Sequence, residues 1–212
     1  RPKHLSVTQI EKLIRDPYSI YARYVLKLKK LQPLKKQANV LLRGNVIHKI
    51  MQNFSELTKN NLKLINSLEL IKLSDDIFSK EVPWPAIRSV WKIQFKKTIP
   101  LFLEAEKLRR QNASPLFFEH PGSTFLGEVG ITLTAIADRI DKNRLNELLI
   151  YDYKSGKPPT LKQLEIFHKQ LILEALIAEN GGFKNIPAAP VISICYISLN
   201  NAHPNTEKII TR

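Results

Sequence analysis

Two short apolar runs contain acidic residues that could bind a cation. Asp138 lies in "ITLTAIADRID", and both Asp152 and Lys154 lie in "ELLIYDYK". A carboxylate in an apolar strand loses hydration free energy, and two neighbouring carboxylates repel each other. A divalent cation between them would offset both effects, and oxygen ligands favour Mg²⁺ or Mn²⁺. The pattern therefore indicates a metal site that accepts phosphate oxygens and has a lysine beside it to orient or help deprotonate water.

The expected geometry follows from strand pairing. Residues alternate across a strand, so Asp152 and Lys154 share one face. If the turn between the two runs is centred near Arg144, Asp138 lies opposite Ile150 and diagonal to Asp152, with about 7–8 Å between backbones. Asp141 is expected opposite Leu149 and pointing away, although a one-residue slip would exchange the roles of the two acids.

A salt bridge is the competing explanation for the same residues. Asp152 could pair with Lys154, or with Arg139, on an exposed sheet face. Aspartate and lysine two residues apart occur often by chance, so the spacing alone does not separate a metal site from an ion pair.

The composition is that of a basic protein with one cysteine. Lysine and arginine number 33 against 19 acidic residues, a formal charge of +14, which attracts polyanions such as nucleic acid. Cys195 alone excludes disulfides and four-cysteine clusters within this chain. No apolar run approaches the roughly 18 residues of a membrane helix, and nothing near Arg1 resembles a signal peptide. A cytoplasmic location without membrane contact is expected, and the missing initiator Met suggests a fragment of a longer polypeptide.

The N-terminal half has helical periodicity. A capping box at Ser6 begins one helix, and Asp16 followed by Pro17 begins a second. "VLLRGNVIHKIMQNF" predicts an amphipathic helix that carries His48. Residues 60–112 continue this pattern, with a break at "EVPWPAI".

Strand periodicity begins at about residue 117. The order is strand, strand, helix, strand, with an extra strand possible at the start. The helix is expected from Thr160 to about Asn180, and "VISICYISL" predicts a strand buried on both faces.

The run "ADRID", then "YDYKSGK", then a helix with "HKQLILEAL" resembles the PD-(D/E)xK nuclease superfamily, specifically its RecB/AddB-type branch with the pattern "GxxDRxD…DYKT/S…Q". "LSVTQIEKLIRDPYSIYARYVLKL" and "RGNVIHKIMQNF" resemble that branch's opening helices and histidine motif. The resemblance implies an α/β fold with a restriction-endonuclease-like core, a mixed sheet with flanking helices, preceded by a mostly helical half. It implies one nuclease domain, with a helical part at 1–116 and a catalytic core at 117–212.

The resemblance also implies roles for individual residues. Asp138 and Asp152 match the two metal-binding acids, and Lys154 matches the catalytic lysine. The backbone carbonyl of Tyr153 stands where the family adds a metal ligand. His48 matches the histidine of "RGxxxH", an occasional metal ligand in this branch.

Further matches are less specific. Gln170 matches the helix glutamine near the site, while Arg43 and Gly44 are weaker candidates for shaping its entrance. Glu128 could supply an additional acid, although an ordinary strand-end carboxylate is the commoner explanation. Glu174 stands where the family often has tyrosine.

The implied activity is that of a Mg²⁺-dependent deoxyribonuclease, an exonuclease for which Mn²⁺ can substitute. It would process DNA ends for double-strand break repair by recombination, as an AddB-like subunit partnered by an AddA-like helicase–nuclease subunit. Asp16 replaces the cysteine that precedes "PY" or "PF" in many members, so no iron–sulfur cluster is expected. The alternative is a catalytically silent nuclease-like domain for DNA binding or subunit assembly, against which the intact Asp138, Asp152 and Lys154 argue.

Overall fold

The computed structural model describes residues 2–29, 31, 37–200, 203–204 and 208–211. Helices dominate the first half of this part of the chain, and a mixed sheet dominates the second. In chain order the elements are β1 (His4–Ser6), α1 (Val7–Arg15), α2 (Pro17–Tyr24), α3 (Val40–Thr58), a 3₁₀ turn (Leu62–Leu64), α4 (Ser67–Glu81), α5 (Pro85–Asn112), β2 (Ala113–Leu126), β3 (Ile131–Asn143), β4 (Leu148–Lys154), α6 (Leu161–Ile166), α7 (Gln170–Glu179), β5 (Val191–Asn200), β6 (His203–Pro204) and β7 (Lys208–Thr211).

The predicted helix starts are confirmed. The backbone N–H of Gln9 donates to Ser6 Oγ at 3.3 Å, and the N–H of Ser6 donates to Gln9 Oε1 at 2.8 Å. Asp16 caps α2, whose first residue is Pro17. None of the helices that the structure describes has the length and hydropathy that a membrane crossing requires.

The sheet is mixed, as expected. β3 pairs antiparallel with β2 and with β4, and parallel with the short β1. β4 pairs parallel with β5, which also pairs antiparallel with β6 and β7. The extra strand anticipated at the start of this half is β2, and a turn at 127–130 separates it from β3.

The sheet lies between two apolar clusters. One contains Tyr151, Tyr153 and Cys195 with the buried sides of α3, α4 and α5. The other contains Ile150 and Tyr196 with apolar residues of α7. Since β5 contributes to both clusters, its prediction as a strand buried on both faces is confirmed.

The expected register between β3 and β4 is wrong. Ile150 pairs with Ile140 rather than with Asp138, although the expected pairing of Asp141 with Leu149 is confirmed. The cause is the turn, in which the side-chain oxygen of Asn143 accepts hydrogen bonds from the N–H groups of residues 145 and 147, each at 2.9 Å. The centre of the hairpin therefore lies beyond Arg144, and the ladder ends at the pair of Arg139 and Tyr151, one residue before Asp138 and Asp152.

The helix expected from Thr160 to about Asn180 is also wrong in part, because it is two helices, α6 and α7. Residues 167–169 separate them. The ammonium group of Lys169 donates to carbonyls at the end of α6. The guanidinium of Arg15, on α1, lies 4.8 Å from the centre of the Phe167 ring. Packing against α1 thus stabilises the break.

A buried ionic network joins the helical half to the sheet. Glu106 on α5 accepts hydrogen bonds from Arg139 at 2.8 and 3.0 Å, and also from Arg109 and Arg110. Arg139 is fully buried, and it donates to both oxygens of Asp141 at 2.6 and 2.7 Å. Burial alone would raise the pKa of Glu106, but Arg139 and Arg109 outweigh it and lower the pKa to about 2.

Replacing Glu106 with glutamine should strongly destabilise the fold. The change leaves buried guanidinium groups without their carboxylate, so the free energy of unfolding should fall by about 3–5 kcal/mol in urea titrations near pH 7. Glu104→Gln, at an exposed position on the same helix, should change it by less than about 0.5 kcal/mol.

The pH dependence gives a second check on the same network. Because the pKa of Glu106 is lowered from 4.5 to about 2, its stabilisation should be present above pH 4.5 and lost as the pH falls through 2. A loss below about 1 kcal/mol in Glu106→Gln near pH 7 would contradict the assigned role of the network.

Candidate metal centre

Asp138 lies where β3 parts from β4. The paired residues of this ladder end at Arg139 and Tyr151. Beyond them the backbone N–H of Tyr153 donates to Asp138 Oδ2 at 2.8 Å. The side chain of Asp138 thereby takes the place of a main-chain acceptor, and its carboxylate lies against the backbone of β4.

Asp152 is held from two sides and is 2% exposed. Lys154 Nζ lies 2.9 and 2.7 Å from its two oxygens, and Gln170 Nε2 donates to Oδ1 at 2.8 Å. Burial raises the pKa of Asp152 to about 6, with Asp138 adding to the rise and Lys154 opposing it. The ion pair considered as the alternative does form with Lys154, but it is not on an exposed face, and Arg139 does not take part.

His48, on α3, approaches the carboxylates of Asp138 and Glu119. Its Nδ1 lies 3.3 Å from Asp138 Oδ2 and 3.8 Å from Glu119 Oε1. One ligand atom from each of these three residues lies within 4.8 Å of the others. Burial would lower the pKa of His48, but hydrogen bonding with the two carboxylates outweighs it and raises the pKa to about 10. One imidazole and two carboxylates, so closely spaced, are a donor set that could hold a divalent cation.

Glu119 was missed in the sequence. The neighbouring pairs of the β2–β3 ladder place it opposite Asp138. Glu128, the acid singled out instead, lies in the exposed turn at 127–130. The signal that could have found Glu119 is the pair of glycines in that turn, because folding the segment there brings Glu119 to Asp138. Its φ of 43° is in the left-handed region, a strained conformation that is frequent at functional sites.

A cleft of about 660 Å³ opens beside this group and is lined in part by Gly44, His48, Glu119 and Asp138. Gly44, a weaker candidate in the sequence, therefore borders the entrance. Arg43 is half-buried on the same helix but is not among the residues that line the cleft.

The arrangement joins two groups of side chains. Asp138 interacts with His48 on one side, and its charge also acts on Asp152 and Lys154. Excess negative charge at a half-buried site favours binding of a cation. A divalent cation held here would stand beside a lysine, which suits hydrolysis of an ester whose leaving oxygen is negatively charged.

The chain matches the model of the PD-(D/E)XK nuclease superfamily over residues 4–212. It is 33% identical over 189 residues to an uncharacterized protein of Rickettsia conorii, covering 86% of this chain and 23% of that protein. Identity to an uncharacterized protein of Rickettsia typhi is 33% over 219 residues, with coverage of 99% and 25%. Identity to a subunit of an ATP-dependent helicase/deoxyribonuclease of Clostridium botulinum is 28% over 239 residues, with coverage of 95% and 20%. The chain thus spans about a quarter or less of the length of these relatives.

Cation binding should depend on pH through His48. With its pKa raised to about 10, the imidazole is protonated near neutral pH, and a bound cation must displace that proton. The affinity for Mn²⁺, measured by calorimetry, should therefore rise about tenfold per pH unit between about pH 7 and about pH 9.

In His48→Ala this slope should disappear, whereas Glu128→Gln, in the exposed turn, should retain it. A slope that is the same in His48→Ala as in the unchanged protein would exclude the imidazole from the cation site.

Proposed function

The chain belongs to the PD-(D/E)XK nuclease superfamily, and we propose that it is a deoxyribonuclease that hydrolyses phosphodiester bonds with Mg²⁺, for which Mn²⁺ can substitute. The observation that carries this proposal is the group of His48, Glu119 and Asp138 at the point where β3 and β4 part. The charge of Asp138 also acts on the buried Asp152, which lies within 3 Å of Lys154. The chemistry of these groups supports it, because neighbouring carboxylates favour binding of a divalent cation, and such a cation can also bind a phosphate oxygen.

The cation would be held by Asp138 and Asp152, with His48 and the backbone carbonyl of Tyr153 as further ligands. Glu119 is a further candidate ligand, because one of its oxygens lies within 4.8 Å of ligand atoms of both His48 and Asp138. When bound, the cation supplies Lewis acidity and lowers the pKa of a coordinated water.

Lys154 acts as a cation rather than as a base. Burial would lower the pKa of its ammonium group, but Asp152 and Asp138 raise it above the ordinary value. A lysine that stays protonated donates hydrogen bonds, so Lys154 orients water by donation and offsets negative charge that develops on the phosphate. Gln170 and Lys154 together hold Asp152 in one orientation.

DNA is the proposed substrate. The formal charge of +14 favours a phosphate backbone, and binding of this kind weakens as salt rises. Beside the acids, the cleft along α3 is lined by Asn45, Lys49, Gln52 and Asn53, whose side chains carry N–H groups of the kind that contacts phosphate oxygens. Lys49 also donates to Glu81, and Gln52 to Glu56.

The similarity to the Clostridium botulinum relative, which is named as a subunit of an ATP-dependent helicase/deoxyribonuclease, supports a proposal for the larger setting. We propose that residues 1–212 are one nuclease domain, with a helical part at 1–116 and a catalytic core at 117–212. It would act as an exonuclease in the cytoplasm, processing DNA ends for double-strand break repair by recombination. Its partner would be an AddA-like helicase–nuclease subunit.

Replacing Lys154 with alanine should abolish most of the cleavage. The rate of Mg²⁺-dependent degradation of end-labelled linear DNA should fall at least about 100-fold, because a donor that stabilises developing charge is lost. DNA affinity should change little, since one of many basic groups is removed. Lys157→Ala, at an exposed position three residues on, is the matched control and should stay within about twofold.

Cleavage by Lys154→Ala at the unchanged rate would refute the assigned role of the lysine. If the unchanged protein binds DNA but does not cleave it with Mg²⁺ or Mn²⁺, with or without the partner subunit, the silent DNA-binding or assembly domain becomes the better account.

A further inference from the structure

Helix α7 presents two polar side chains, one turn apart, to the candidate metal centre, which lies where β3 and β4 part. Gln170 begins the helix, and Glu174 lies on the same side. Gln170 Nε2 donates to Asp152 Oδ1 at 2.8 Å and to Glu174 Oε1 at 3.0 Å. The three side chains thus form a continuous chain of hydrogen bonds from the helix interior to Asp152.

The orientation of the Gln170 amide is fixed by these contacts. A glutamine nitrogen carries two N–H groups, and here each is directed at a carboxyl oxygen. If the amide turned over, its carbonyl oxygen would face the Asp152 carboxylate, and both hydrogen bonds from Nε2 would be lost. By accepting the second N–H, Glu174 holds the Gln170 amide in the position from which it donates to Asp152.

Packing does not explain a carboxyl group at position 174. Glu174 has no exposed surface, and its neighbours on α7 include the buried Leu171, Ala175 and Ala178. Its Oε2 has no hydrogen-bond partner among the described residues. Burial and the charge of Asp152 raise the pKa of Glu174 well above its ordinary value. An apolar side chain would avoid all of these costs, so the benefit of Glu174 must lie in what it contacts.

We propose that Glu174 is a positioning residue that acts through Gln170 to set the orientation of the Asp152 carboxylate for cation binding. The inference rests on the proposed function, because it takes Asp152 as a metal ligand. Replacing a side chain that hydrogen-bonds to a metal ligand and orients it commonly lowers metal affinity by about 10- to 100-fold.

A double-mutant cycle tests this relay with Mn²⁺ binding, followed by calorimetry, as the readout. Gln170→Leu and Glu174→Leu should each weaken Mn²⁺ binding about tenfold. The double variant should be about as weak as either single variant, because both break the same chain of hydrogen bonds. Glu174→Gln keeps an oxygen that can accept from Gln170 and should bind within about threefold of the unchanged protein.

Stability gives an independent readout. Glu174→Leu removes a buried carboxyl group with an unpaired oxygen, so its melting temperature should be unchanged or higher while its Mn²⁺ affinity falls. Glu165→Leu, at an exposed position on α6, is the control and should alter neither quantity. A residue with a purely structural role would not lower metal affinity in a protein that is equally stable.

Three results would overturn the proposal. In the first, Glu174→Leu binds Mn²⁺ as the unchanged protein does while Asp152→Asn does not, which rejects the positioning role and leaves the proposed function intact. In the second, the losses in the two single variants multiply in the double variant, which makes Glu174 an independent contributor. In the third, Asp152→Asn binds Mn²⁺ normally or the unchanged protein does not bind it, which rejects the metal site and the relay together.

Discussion

The hydrogen bond from the backbone N–H of Tyr153 to the carboxylate of Asp138 is the interaction on which the site depends. It forms where the regular pairing of β3 and β4 ends, and it fixes Asp138 against the neighbouring strand. The next residue, Arg139, enters the buried network with Glu106 on α5. Two consecutive residues thus have different roles. Arg139 binds the helical half to the sheet, whereas Asp138 contributes its charge to the candidate metal centre.

The charges at the point where β3 and β4 part favour binding of a cation. Glu119 and Asp138 approach His48, while Asp152 lies buried beside Lys154. The pKa of His48 is raised to about 10, so without a cation a proton on the imidazole offsets part of the negative charge near neutral pH, and burial raises the pKa of Asp152 to about 6. Binding of a divalent cation would release the proton on His48 and relieve the repulsion between the acids. The same cation would attract phosphate.

Local patterns in the sequence predicted much of the fold. The features that were missed depend on contacts between residues that are far apart in the sequence or on the geometry of a turn. Helix caps such as Ser6 depend on residues three apart, and the acids of β3 and β4 stand out because they interrupt apolar runs. The register error arose because the side chain of Asn143 shifts the turn. Glu119 becomes visible only when the β2–β3 hairpin is folded. The break before Gln170 depends on contacts with α1, which lies far away in the sequence.

The most direct test of the account is anomalous diffraction from crystals of this chain grown with Mn²⁺. If Asp138 and Asp152 share a cation, an anomalous peak should lie between their carboxylates, within bonding distance of both and next to His48. This peak should be lost in Asp138→Asn crystals. An anomalous map with no peak between the two acids, in which Asp152 keeps only its contacts with Lys154 and Gln170, would contradict the assignment of a metal centre to the point where β3 and β4 part.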